Sequence, residues 1–415
     1  MQKLSLRRRK FLASLARNAP LALAAISSTP LALAAPAPAP APQIKSNNAV
    51  IIGLDAEFGL ENSYSAQAVE LGIKVAMAEI NANGGVLNGR QLELATRDNR
   101  AMPARGIRNL SELAALPNLV AVFGARFSPV IIEQLPKIQE LQIPFLAVWS
   151  SADPIIDNNM QPNYVFRLSL RDNLAMPKML QAAAVRGFDK VGLLLTNTAW
   201  GRSNKAAAEK YILTQSRQKI VDLAWYNWKD PSLLAPYQKL QDAGAQAVLL
   251  VANDVEAAIL MKEIAALPPN RRLPVFSHWG ITGGDFAKTA GPALREVDLS
   301  VIQTFSFFTA DKTVLARFMK YLAEISEIRR IDEIQAPVGV AHAYDMTHLL
   351  AQAVNQAGST DRNSIRNALE KLKPWRGLVK SYAPAFTPGR HEALSADELL
   401  MARYRSDGVL IPAQK

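Results

Sequence analysis

Ser128-Pro129 and the pair Ser150-Ser151 each stand just past a short apolar run, Leu119–Phe123 in one case and Ile143–Val148 in the other. Such runs, rich in branched residues, read as strands buried on both faces. Gly124 breaks the first run, and Ser128-Pro129 then supplies an N-cap and a proline at the first helical position. Val130, Ile131, Leu135 and Ile138 continue with helical spacing, while Pro136 predicts a kink or a later start. The pattern is strand, crossover helix, parallel strand, with hydroxyls at the carboxyl ends of both strands. Ligands bind at that edge of an open α/β sheet, where helix N-termini offer free N–H groups to an anion. The chemistry implied is the holding of a small negatively charged group.

Catalysis requires a different inventory: a nucleophile with an adjacent base, a metal set or a cofactor fingerprint. The chain has four histidines, His278, His342, His348 and His391, and no cysteine. His342 and His348 are six apart on one predicted helix and do not line up as a metal pair. Asn83-Gly84-Gly85 follows a helix rather than a strand, and no G-x-G-x-x-G occurs. The reading is therefore a non-enzyme without metal or cofactor. The absence of cysteine excludes disulfides, thiolate chemistry and a lipid-modified cysteine anchor.

The elements that must position these hydroxyls alternate in type along the chain. Ala49–Gly53 reads as a strand, Asp55–Ser63 as a polar loop and Tyr64–Asn81 as a helix; Gln91–Ala95 is the next strand and Ala104–Leu116 the next helix. After the strand Tyr164–Leu168 the cycle restarts with helix Leu174–Arg186, strand Val191–Leu195 and a polar loop ending at Ser203, then strands at Ile220–Trp225, Ala247–Val251, Val275–Ser277 and Leu299–Thr304. Helices Thr313–Glu327, Val338–Ala357 and Ser364–Leu372 follow. Alternation of this kind predicts α/β architecture with parallel doubly wound sheets in two halves. Chain crossings are expected near Leu168–Leu170, Ser300–Phe305 and Trp375–Tyr382, a hinge that permits closure.

Residues 1–34 read as an export signal peptide: a basic head, an Ala/Leu-rich stretch broken by Pro20 and Pro30, and an A-x-A site at Ala32-Leu33-Ala34. Arg8-Arg9-Lys10-Phe11-Leu12 is twin-arginine-like, although a rich basic head on an ordinary secretory signal has the same appearance. Residues 35–47 form an Ala/Pro-rich spacer. The chain carries a net charge of +11, and removing the six basic residues of 1–34 leaves +5. That surface lacks the clustered Lys/Arg of a nucleic-acid groove.

Taken in order, GIKVAMAEINANGGVLNGRQLEL, VFGARFSP, IPFLAVWSSADP, NYVFRLSLRD, TNTAWGRS and VAHAYDMTHLLAQAVNQAGSTD resemble type I periplasmic solute-binding proteins of the branched-chain amino-acid (Leu/Ile/Val-binding) ABC transporter family, from about Ala49 onward. The resemblance implies two Rossmann-like lobes joined by a three-crossing hinge, with 48–168 plus 303–375 in lobe one and 169–302 plus 376–415 in lobe two. It implies a periplasmic protein that passes a small carboxylate-bearing solute to an ABC-type inner-membrane permease. A ligand-sensing receptor subunit for a membrane signalling protein would need the same hinge.

Carried across residue by residue, Ser128 falls where the family binds the ligand carboxylate, though it reads equally as a plain N-cap. Ser150 and Ser151 match the loop that grips the amino-acid head, with Ala152 where amino-acid binders commonly carry threonine. Trp200 matches the second-lobe aromatic that faces the cleft, or is a core or surface tryptophan. Tyr64 falls where a first-lobe aromatic caps the ligand, or simply packs. The loop Ser277–Gly284 carries His278 and Trp279 where amino-acid binders place a carboxylate for the ammonium group, and holds no acid before Asp285. Asn253 and Asp254 could replace that counter-charge. Trp149, Trp200, Trp279 and Phe305 could wall a flat solute such as an aromatic acid, with Arg126 either a carboxylate clamp or a solvated loop charge.

Overall fold

The computed structural model describes residues 48–61 and 63–413. The expected signal peptide with its twin-arginine motif, and the spacer through residue 47, lie outside the described residues. The first half runs β1 (Val50–Ala56), α1 (Ser65–Ala82), β2 (Leu92–Asp98), α2 (Pro103–Ala114), β3 (Leu119–Gly124), α3 (Ser128–Leu141), β4 (Phe145–Ala147) and β5 (Val165–Arg167). These strands form one sheet in the order β2-β1-β3-β4-β5, parallel throughout. β1, β3 and β4 are buried at every position, as their unbroken apolar runs require in a sheet covered on both faces.

The second half runs α4 (Asp172–Val185), β6 (Lys190–Thr196), α5 (Ala199–Gln215), β7 (Lys219–Tyr226), α6 (Leu234–Asp242), β8 (Ala247–Val251), α7 (Asp254–Ala266), β9 (Val275–Ser277), α8 (Phe286–Ala290) and β10 (Leu299–Gln303). Next come α9 (Lys312–Ile325), α10 (Pro337–Ala357), α11 (Arg362–Leu369), a hairpin of β11 (Trp375–Arg376) and β12 (Ser381–Tyr382), then β13 (Leu400–Tyr404) and β14 (Leu410–Pro412). The second sheet is ordered β14-β13-β10-β9-β8-β6-β7. Its core is parallel, and β13 and β14 add an antiparallel edge. Each lobe is thus a doubly wound α/β unit.

α9, α10 and α11 return to the first lobe, where α10 lies along α1. Gly72 makes that approach possible, because a Cβ there would sit 2.2 Å from the Val340 carbonyl oxygen. The first lobe also keeps more of the C-terminal chain than expected. Tyr382 and Phe386 pack in its core, and the His391–Ala393 backbone pairs with Arg167 beside β5. Arg167, fully buried, forms a two-pronged ion pair with Glu392, its Nε 2.9 Å and its Nη2 2.5 Å from the carboxylate. The passage to β13 therefore comes after Ala393, not near Trp375–Tyr382. This ion pair and strand-like pairing outweigh the Pro- and Gly-rich look of the segment.

Two further expectations shift for physical reasons. Pro136 lies inside α3, which runs unbroken from Ser128 to Leu141. Asp55 belongs to β1 rather than to a polar loop, because its carboxylate accepts from Asn99 (2.9 Å), Asn109 (2.7 Å) and Gln134 (2.7 Å). Burial nonetheless pushes its pKa up to about 6.

Asp345 on α10 holds the β11–β12 hairpin in place. It accepts from Leu378 N–H (2.7 Å), Val379 N–H (2.8 Å) and the Tyr382 hydroxyl (2.8 Å). Burial pushes this carboxyl up from 3.8 to about 7 despite those donors. A raised folded-state pKa contributes stability that is fully present below the unfolded value and is lost as pH rises through the folded one. Asp345→Asn cannot titrate, so wild type should lose up to about 4 kcal/mol relative to the variant as pH rises from 4 to 8. Denaturant melts at stepped pH measure this, and a pH-independent difference would refute it.

Candidate functional site

Both sheets reverse winding direction beside their central strands, β1/β3 in lobe one and β6/β8 in lobe two. Loops at the carboxyl ends of those strands diverge there and leave a crevice edge. Glu57 follows β1, Arg126 and Ser128 follow β3, and Trp149 to Ser151 follow β4. From the other side Trp200 follows β6, Asn253 and Asp254 follow β8, and His278 and Trp279 follow β9. The two edges meet.

Arg126 joins them. It is buried, and its Nη1 lies 2.7 Å from Asp254 Oδ1 across the lobe boundary. Nη1 also points to the Gly280 carbonyl at 3.5 Å and Nη2 to Ser63 Oγ at 3.4 Å, while Nε has no hydrogen-bond partner among the described residues. Glu57, fully buried, accepts from Ser65 Oγ, whose neighbour at 3.1 Å is Ser63 Oγ. Burial raises the Glu57 pKa, and the Arg126 charge pulls it back. The lobes also meet where Tyr64 N–H donates to Gly283 O (2.8 Å), the Tyr64 hydroxyl to Asp285 (2.8 Å) and Asp153 N–H to Ser203 Oγ (3.0 Å). Phe127 packs edge-on against Trp228 at 5.3 Å. This is a closed arrangement.

Ser128 is the first residue of α3 rather than its cap. Phe127 holds the cap position in an extended conformation, its ring turned to Trp228, and the Ser128 hydroxyl accepts from Ala152 N–H at 3.3 Å. Ser150 Oγ donates to Ala125 O at 2.5 Å. Ser151 is buried, and its carbonyl accepts from Asp172 N–H at 3.0 Å. Trp149 and Trp279, both fully buried, face each other across the boundary with ring centres 6.0 Å apart, and His342 lies 5.6 Å from Trp279. Trp200 is buried and edge-on to His278 at 5.0 Å. Asn253, buried as the cap of α7, shares the Gly280 face with Trp200.

Tyr64 and Phe305 stand apart from this group. They line a cavity of about 900 Å³ beside the hinge, to which Ser128, Trp200 and Trp279 do not contribute. Arg126 is no solvated loop charge: Asp254 and the Ser63–Glu57 group enclose it. Nor is Asp254 free to receive an ammonium group, because Arg126 occupies it.

Sequence reasoning missed Glu57 and Asp172. Asp172 opens α4, is fully buried, and neither carboxylate oxygen has a hydrogen-bond partner among the described residues. His278 Nε2 lies 3.2 Å from Asp172 Oδ1, yet off the line a hydrogen bond needs, so both ring nitrogens are also unpartnered. The negative charge of Asp172, after burial, helps raise Asp153 to about 6. In the sequence Asp172 looks like an ordinary first-turn acid on a helix. Its one distinguishing signal is its place just past the strand that ends the first sheet, where the chain crosses.

Two α/β lobes closing on a polar, aromatic-walled boundary define the type I periplasmic binding protein architecture. The family model for periplasmic binding proteins matches residues 58–408, and the chain belongs to that family. It is 22% identical over 332 residues to the Leu/Ile/Val-binding protein homolog 2 of Brucella abortus, covering 80% of this chain and 84% of that one. A type 1 periplasmic binding protein from Bordetella pertussis superposes with a TM-score of 0.78 at 20% identity, covering 88% of this chain and 100% of the other. A solute-binding protein of an ABC transporter from Rhodopseudomonas palustris, solved with p-hydroxybenzoic acid, gives 0.74 at 17% identity, covering 88% and 96%.

Removing one half of a buried ion pair costs about 3–5 kcal/mol when the remaining charge stays buried. Here the guanidinium has an exit, because parting the lobes returns it to water. Asp254→Asn should therefore open the protein rather than unfold it. Solution X-ray scattering should show a larger radius of gyration, with only a small drop in thermal midpoint; an unchanged scattering profile would show that the pair does not hold the lobes together.

Proposed function

We propose that this chain is the solute-binding component of an ABC uptake system, exported to the periplasm, which closes on a small carboxylate-bearing solute and delivers it to an inner-membrane permease. The observation that carries this reading is the set of buried polar atoms that lack a hydrogen-bond partner among the described residues on both sides of the lobe boundary: Arg126 Nε, Trp149 Nε1, Trp200 Nε1, Asp172 Oδ2 and His278 Nδ1, with Asp172 Oδ1 and His278 Nε2 in contact only with each other at 3.2 Å. An unsatisfied buried polar group costs about 1–3 kcal/mol, and a solute that satisfies several of them at once is bound.

Arg126 and Ser128 take the carboxylate, one through its free Nε–H and the other through a hydroxyl at the start of α3. Ser150 and Ser151 shape the floor of this end. Trp149, Trp200 and Trp279 wall the solute, and Asp172, with Asn253 nearby, receives a donor group at the far end. An α-amino acid, as in the name of the Brucella relative, and a hydroxylated aromatic acid, as in the Rhodopseudomonas complex, both present one anion and at least one donor. The aromatic walls favour the flat acid. The lobes must part for entry, which breaks the contacts of Arg126 with Asp254 and of Tyr64 with Asp285.

A thermal-shift screen of amino acids, hydroxybenzoates and short organic acids should raise the unfolding temperature for one class, because a ligand that binds only the folded form stabilises it. For that ligand Ser128→Ala should weaken binding by about 1–3 kcal/mol in calorimetry. Asp172→Asn should abolish binding of an α-amino acid but leave an acid without an ammonium group within a few-fold of wild type. No shift with any of these classes would refute the reading.

A further inference from the structure

The cavity beside the hinge is far larger than a carboxylate head needs, and both lobes build it. Tyr64 and the start of α10 contribute from the first lobe, the Thr282–Arg295 segment and β13 from the second, and Gln303 to Phe308 from the crossing between them. Its volume of about 900 Å³ lies near the top of the roughly 300–1,000 Å³ range of drug-sized sites. Only a thin partition separates it from Arg126. A Cβ on Gly283 would sit 2.0 Å from Arg126 Nη1, so the guanidinium rests directly on that residue. Thr282 and Gly284, on either side of it, already line the cavity. The partition itself is one β-bridge, Ser63 to Gly284, closed at the rim by the Tyr64–Asp285 hydrogen bond. All of it comes apart when the lobes part.

The chamber has a chemical character of its own. Phe305 and Phe307 meet edge-on at 4.9 Å in its wall, and alternate residues of β13, Leu400, Ala402 and Tyr404, present one face to it. Gln303 lines it too. That side chain is buried and donates its Nε2 to Ile302 O at 2.6 Å, which leaves Oε1 buried with no donor among the described residues. Charged residues, Lys288, Arg295, Asp332 and Arg405 among them, line other parts of the same chamber, and the orphaned acceptor beside its rings asks for a ligand that brings a hydrogen-bond donor.

We infer that the chamber is the tail compartment of the solute site, and that the solute is an elongated carboxylic acid: an anionic head at Arg126 and Ser128, and an apolar or aromatic tail with a hydrogen-bond donor that reaches Gln303 Oε1. This deepens the proposed function and rests on its head site; the tail enters the chamber instead of running between Trp200 and Asp172. Closure then folds the Ser63–Gly284 strands over the middle of the solute instead of against each other.

Calorimetry on the full chain with benzoate, biphenyl-4-carboxylate and 4'-hydroxybiphenyl-4-carboxylate tests it. Both biphenyl acids should bind at least tenfold more tightly than benzoate, and the hydroxyl should add a further gain of several-fold. Gln303→Leu should remove the hydroxyl gain alone. Leu400→Trp, at a half-buried position that fills the chamber from its wall, should weaken both biphenyl acids and leave benzoate unchanged; circular dichroism and the thermal midpoint confirm that each variant is folded. If benzoate binds as tightly as the biphenyl acids, or if the variants weaken all three acids alike, the tail compartment is refuted and the head site stands. If Ser128→Ala weakens none of these acids, or none of them binds, the head site fails and the inference falls with it.

Discussion

A guanidinium buried between two bodies that must separate sets the terms for everything around it. The charge of Arg126 has to be matched in the closed form and solvated in the open one. Asp254 supplies a direct contact at 2.7 Å from the second lobe, and within the first lobe the Arg126 charge pulls down the pKa that burial raises at Glu57. At an effective dielectric of 20 the direct contact is worth about 6 kcal/mol, while withdrawing each ion from water costs several kcal/mol. The two nearly cancel. A clamp that opens and shuts needs that near-balance, because a strongly favourable pair would keep the lobes shut against the solute. The facing loop has adapted its shape to the cation, since the position of Gly283 is already filled by the guanidinium, and a side chain at Gly280 would strike both the Ala252 carbonyl and the Trp200 ring.

The hinge side is built on different principles. His342, fully buried on α10, reaches the Val148 carbonyl with Nδ1 and the Thr304 hydroxyl with Nε2. A carbonyl only accepts, so Nδ1 carries the proton and Nε2 accepts from Thr304. Burial lowers the ring pKa to about 4 and keeps it neutral. One neutral ring therefore ties the end of β4, the crossing after β10 and the helix α10 together without adding charge beneath Trp279. The Arg167–Glu392 pair does the same work for the last crossing with charge. Because it lies wholly beside β5 it does not have to break on opening. Fixed polar ties sit at the hinge, and breakable ones sit at the mouth.

Much of the fold was legible because its signals are local. Unbroken apolar runs gave the parallel strands, their spacing gave the crossovers, and the ordered motifs gave the family. The boundary at 375 was misjudged because what holds Tyr382 to Ala393 on the first lobe is Arg167, more than two hundred residues away and silent in any window of sequence. The site was legible in part. The strand ends pointed to loops that the structure gathers at one boundary, with Ser128, Ser150, Ser151, Arg126, Trp200, Trp279 and Asn253 on them. Pairing was not legible: no pattern announces that Arg126 and Asp254 occupy each other, or that Phe127 takes the cap position because Trp228 waits across the gap. Tyr64 and Phe305 proved to belong to the chamber, a separation that depends on the bridge from Ser63 to Gly284.

The missing acid of the Trp279 loop shows how the site could change without losing its logic. A buried ammonium group on a solute needs a carboxylate, but nothing requires that carboxylate to come from a particular loop. Asp172 reaches the boundary from the first turn of α4, where its backbone N–H is already fixed by Ser151 of the opposite lobe. The loop after β9 is then free to carry Trp279 and His278 in place of an acid. On the proposed reading, a solute gains affinity chiefly by pairing atoms that closure leaves unpaired, so it must bring acceptors for Arg126, Trp149 and Trp200 and a donor for Asp172. A hydrocarbon of the right shape brings neither. At about 1–3 kcal/mol for each group satisfied, four such contacts reach the roughly 8 kcal/mol of a micromolar complex, with the closed lobes themselves contributing almost nothing.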